Sequence, residues 1–134
     1  MTDTGKRALL RRQLDAHLIA LGYSCLHARR IGAPLPEIAR VSPVRGRIAY
    51  GETVLRSDLG SRRCHERLLL FSQRRTRRRS TILLFIGVAA EDRSELEALL
   101  ERLNIQNGIR GGHVHVVTIR PPAATSRARV NARA

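Results

Sequence analysis

Apolar side chains recur every three to four residues near the start of the chain, at Leu10, Leu14, Leu18 and Leu21, while Arg7, Arg11 and Arg12 fall largely outside that stripe. This period predicts an amphipathic helix over about Lys6 to Leu21, preceded by Thr4-Gly5 and closed by Gly22. The pattern then shortens to strands. Tyr23 to Ala28, Pro36 to Val41 and Arg47 to Val54 read as three of them, separated by a loop from Arg29 to Leu35 and a turn from Ser42 to Gly46. Ser57 or Asp58 is a suitable cap for a second helix reaching about Arg74, with Leu59, Leu68, Leu69 and Phe71 as candidate core residues. Thr81 to Val88 is a continuous apolar run of the kind covered on both faces. Glu91 to Leu103 is an amphipathic helix with acids in its first turn, and His113 to Ile119, after a loop containing Gly108, Gly111 and Gly112, is the last strand.

The predicted order is αβββαβαβ. Short turns between the first three strands favour antiparallel pairing, and the later crossovers through helices favour parallel pairing. The expected fold class is therefore α/β, a mixed sheet with helices on both faces. Residues 1–120 make one domain of ordinary size, and residues 121–134, small side chains plus Arg127, Arg129 and Arg133, read as a disordered basic tail.

Charge narrows the function. The 134 residues carry 25 Lys and Arg against 11 Asp and Glu, a formal net charge of +14. An excess of that size is most simply neutralised by a polyanion, so nucleic acid is the expected partner. Aromatic residues make up only 3%, which disfavours base-stacking platforms and favours contacts to backbone phosphates. Lys6 is the sole lysine; an arginine bias suits bidentate phosphate contacts and equally fits an arginine-rich composition. Five arginines lie in the six residues from Arg74 to Arg79, more than capping a helix requires. Arg62, Arg63, Arg67, Arg74, Arg75, Arg77, Arg78 and Arg79 are the candidate nucleic-acid contacts. Cys25 and Cys64 form no Cys-x-x-Cys motif, and the longest apolar run is too short for a bilayer, so a cytoplasmic chain with free thiols and no membrane partner is expected. His113 and His115 share a strand face but lack further ligands at zinc spacing, and neighbours such as Cys64 and His65 point about 100° apart on a helix.

One acid stands out. Glu52 lies inside a run of strand formers, where a buried carboxylate needs a partner. It is either a metal ligand or the partner of Arg47, Arg56 or Arg62.

Helix, three strands, helix, strand, with Pro36-Glu37-Ile38 opening the second strand and Gly51-Glu52-Thr53-Val54 on the third, resembles the PD-(D/E)XK restriction-endonuclease-like superfamily over about Lys6 to Val88. The helix carrying Glu66-Arg67-Leu68 and Phe71-Ser72 is similar to the one beside the site in many members. The resemblance implies Mg²⁺ held by Glu37 and Glu52, a water activated by that ion, and a fold that often works as a homodimer. The chain departs from the pattern at two positions: Glu37 stands for Asp and Val54 for Lys. Arg56 is the candidate to supply the missing charge, although arginine cannot act as a base. Three functions stay open: a nucleic-acid-binding protein, on DNA, with a degraded metal site; an active Mg²⁺-dependent endonuclease using Arg56; and a module for an acidic protein partner.

Overall fold

Thr2 starts the first helix, earlier than the apolar stripe alone indicates. In the computed structural model, which describes residues 2–27, 31–44, 46–105 and 112–119, the Thr2 hydroxyl accepts the Gly5 N–H at 3.1 Å and caps α1, Asp3–Ala20. Gly22 follows at φ +97°, a left-handed value that turns the chain out of the helix. The strands are β1 (Ser24–Cys25), β2 (Ile38–Val41), β3 (Ile48–Val54), β4 (Leu83–Ala89) and β5 (Val114–Ile119). β1 is much shorter than the predicted Tyr23 to Ala28. The basic tail, the end of that predicted strand at Ala28, and Gly108 and Gly111 lie outside the described residues.

The second helix differs most from expectation. Ser57 and Asp58 do not cap it. A 3-10 turn occupies Arg56–Asp58, where the Asp58 carboxylate accepts the Leu55 N–H at 2.8 Å. After Gly60, Ser61 accepts the Cys64 N–H at 3.4 Å and caps α2, Arg62–Gln73. Another 3-10 turn, Ala90–Asp92, leads into α3, Arg93–Arg102.

The result is an α/β fold built on one five-stranded mixed sheet in the order β1-β2-β3-β4-β5. β1, β2 and β3 pair antiparallel, with Ile38 opposite Gly51; β4 runs parallel to β3 and β5 parallel to β4. Strand alternation sends Tyr50, Val54, Leu84, Ile86 and Val88 to the face that packs on Leu68 and Phe71 of α2 and on Leu96, Leu99 and Leu100 of α3. Ala49 and Phe85 face the other way, onto Leu14 and Leu18 of α1. Gly51 lets α1 approach closely: a Cβ there would lie 3.0 Å from Ile38 Cβ and 3.2 Å from Leu14 Cδ2. Among the described residues, no helix is long and apolar enough to cross a membrane.

Candidate functional site

Glu52 sits on the α2 face of β3, between Tyr50 and Val54, and is 3% exposed. Its partner is none of the arginines the sequence suggests. Arg67, one turn into α2, donates from Nε to Oε1 at 2.8 Å and from Nη2 to Oε2 at 2.9 Å. The Glu37 N–H adds a third bond to Oε2 at 2.7 Å. Burial pushes the Glu52 carboxyl above its ordinary value, while the bonds from Arg67 and Glu37 N–H pull it back. The Arg67 guanidinium is in turn held above its usual value by its bond to Glu52.

Glu37 lies beside this pair. Its Oε1 accepts the Thr53 N–H at 3.0 Å, and the Thr53 hydroxyl donates to the same carboxylate at 2.9 and 2.8 Å. Arg7 of α1 approaches Glu37 at 3.9 Å, and its Nη2 donates to both carboxylate oxygens of Asp58, at 2.8 and 2.7 Å. These groups, with Arg11, Arg63 and Cys64, line a cleft of about 390 Å³ at the C-terminal end of β3. The fold thus brings both motif carboxylates together, yet each is engaged by protein donors. Arg67 covers the two-oxygen edge of Glu52 through which a divalent ion would bind. Among the described residues, no group of three or more His, Cys, Asp or Glu is arranged to hold a metal ion. As arranged, the residues do not fit Mg²⁺.

Arg56 is not part of this cluster. It turns away to Asp92 at 3.2 Å and Glu95 at 3.4 Å. Val54, 1% exposed, lies against the same cleft with an apolar side chain and so supplies no cation there. Cys64 and His65 do not pair as nucleophile and base. Burial pushes the Cys64 thiol up to about 12, and the His65 ring meets the Leu59 carbonyl at 2.8 Å. His113 contacts the Ser72 carbonyl and His115 stacks on Phe85.

The arginines divide between the two ends of α2. Arg62 pairs with Glu66 at 3.1 Å, and Arg63 and Arg67 belong to the carboxylate cleft. Arg74, just past α2, is also internal. Its guanidinium donates to the Gly32, Ala33 and Pro34 carbonyls at 3.1, 3.4 and 3.0 Å, and lies over the rings of Phe71 and Tyr50. With the Arg67 bond to the Leu35 carbonyl at 3.2 Å, two guanidinium groups clamp the strap from Gly32 to Leu35.

Beyond Arg74 the picture changes. Arg75 makes a single antiparallel bridge to Thr81. A turn closes it: Arg79 N–H donates to the Thr76 carbonyl at 2.8 Å, Thr76 N–H to the Ser80 carbonyl at 3.0 Å, and Ser80 N–H to the Thr76 hydroxyl at 3.0 Å. Arg79 takes φ +62° to complete the turn. Arg75, Arg77, Arg78 and Arg79, joined by Arg47 from the β2–β3 connection, line a cleft of about 1410 Å³. Among the described residues, these five side chains have no ion-pair partner. Arg47 was absent from the sequence-based contacts, because it is 28 residues from the Arg75 it joins at the cleft. Arg7 and Asp58 were absent from the expected site too, because their pairing spans 51 residues of chain.

No family model, curated protein or solved structure matches this chain.

Proposed function

We propose that this protein binds nucleic acid, with DNA as the partner, through the arginine cleft, and that its nuclease-like carboxylate pair is degraded to a structural role. The observation that carries the reading is the set of arginines at positions 47, 75, 77, 78 and 79, which face one large cleft without acidic partners. Keeping that much uncompensated charge together costs folding free energy and is understandable if phosphates neutralise it. The antiparallel β1-β2-β3 meander with β4 added in parallel supports a restriction-endonuclease-like core. Loss of chemistry is supported by Arg67 lying across Glu52, by Val54 in the lysine position and by the distant engagement of Arg56.

The test is a binding titration on duplex DNA at two salt concentrations. If about five arginines contact phosphates, affinity falls roughly 500-fold between about 50 and about 200 mM salt. Binding that ignores salt, or no binding at all, would sink the proposal in favour of an acidic protein partner. Incubation of labelled DNA with Mg²⁺ or Mn²⁺ should give no cleavage. Cleavage that disappears in Glu52→Gln would restore the active-nuclease reading.

A further inference from the structure

The segment from Arg75 to Thr81 allows the ligand to be named more closely. We infer that its arginine tip enters the major groove of B-form DNA, with Arg47 and Arg75 on the flanking phosphates; this rests on the reading that the chain binds nucleic acid.

Three observations support it. The first is the absence of a free Phe or Tyr ring for stacking. Tyr50 and Phe71 pack edge to face at 5.5 Å beneath the Arg67 and Arg74 guanidinium groups, and Tyr23 packs against buried Phe85 at 6.1 Å. Binders of single strands rely on exposed rings to hold unpaired bases. The second is shape. A single antiparallel bridge between Arg75 and Thr81 brings the two arms of the tip together at its base. Paired strands lie about 4.8 Å apart before side chains are added, which suits a major groove about 12 Å wide and not a minor groove about 6 Å wide. The deep, narrow major groove of A-form RNA excludes it as well. The third is placement. Arg77 and Arg78 occupy the two central positions of a turn held by three hydrogen bonds, so their side chains leave a fixed base. Arg47, from the β2–β3 connection, and Arg75, whose Nη1 donates to the Gln73 and Arg74 carbonyls at 3.3 and 3.2 Å, line the same cleft and are available to flanking phosphates.

The inference also separates the grip from the carboxylates. Arg47 lies at the N-terminal end of β3, and Glu52 is five residues further along. At the rise of an extended strand that is roughly 17 Å.

The experiment is a fluorescence-anisotropy titration of the full chain against a mixed-sequence DNA duplex, the same sequence as an RNA duplex, and the DNA single strand. The DNA duplex should bind at least about tenfold tighter than either competitor. Methyl green, a major-groove ligand, should displace the protein, and netropsin, a minor-groove ligand, should not. Replacing Arg77, Arg78 and Arg79 with Ala should weaken binding to the DNA duplex and abolish the duplex preference. These side chains are exposed and make no contacts that folding requires, and circular dichroism verifies the fold. A control that removes Lys6 and Arg12, exposed on α1 across the sheet, should stay within about twofold. Equal or tighter binding of single strands or RNA, displacement by netropsin, or an equal loss in the α1 control would overturn the inference while leaving nucleic-acid binding intact. Failure to bind any of the three would overturn both.

Discussion

Arg67 meets Glu52 with two arms of its guanidinium, at 2.8 and 2.9 Å, and so places a fixed cation against the one buried carboxylate of β3. The pair ties α2 to the sheet. Phe71 is contacted by both guanidinium groups, Arg67 at 5.0 Å and Arg74 at 5.1 Å from the ring centroid.

Removing one partner leaves a buried charge without compensation. Arg67→Met should destabilise the fold by about 3 kcal/mol, somewhat below a fully buried pair because the arginine is partly exposed. Glu52→Gln combined with Arg67→Met should recover part of that loss. A double-mutant cycle in urea checks this, and strictly additive losses would show that the two side chains are not coupled.

The same pair sets a pH dependence. Glu52 is raised above its unfolded value, so its contribution to stability is fully present below the ordinary carboxylate range, about pH 4, and declines as pH rises through the folded value. Without Arg67 the carboxyl moves higher still. The deficit of Arg67→Met should therefore be larger at about pH 8 than at about pH 5. An equal deficit at both values would mean that Glu52 is better solvated than its burial indicates.

Arg74 holds three consecutive carbonyls of the strap. Arg74→Met should free residues 32–35, costing about 1–3 kcal/mol and raising their amide exchange and protease sensitivity. Arg74→Lys should rescue little, because a single ammonium cannot reproduce the fork. Unchanged protection in the Met variant would show that the strap is held by other contacts.

Close packing of α1 makes its two facing glycines unequal. Gly51→Ala should cost about 1–3 kcal/mol, since the new methyl would meet Ile38 Cβ at 3.0 Å. Gly87→Ala, nearest Leu14 Cβ at 3.3 Å, should cost less. Thermal unfolding ranks the two, and the reverse order would contradict the geometry.

The turn contains its own strain. Arg79 at φ +62° sits where glycine has no steric penalty, so Arg79→Gly should stabilise the chain by about 0.5–1 kcal/mol. Under the proposed function, its cost would appear in nucleic-acid affinity. A stability loss in that variant would mean the arginine side chain makes a contact that supports the turn.

Local pattern was enough to determine the α/β class, the mixed sheet and the approximate place of each described α-helix and strand, though not the 3-10 turns before α2 and α3, because periods of two and 3.6 follow from backbone geometry alone. It also singled out Glu52, since an acid among strand formers violates that pattern, whereas Glu37 was named only through the motif resemblance. Ends of elements were less legible. Whether Ser57 or Ser61 caps α2 depended on Asp58 closing its own turn and on Arg7 arriving from α1 to pair with it. The roles of the arginines were decided only by tertiary structure. In the sequence, Arg56, Arg67, Arg74 and Arg78 are alike: long, charged and close to one another. Folding sends Arg56 to Asp92, Arg67 to Glu52, Arg74 to the strap carbonyls and Arg78 to an open cleft. The physical reason is that a guanidinium takes its function from the acceptors within its reach, and those acceptors are brought there from distant parts of the chain.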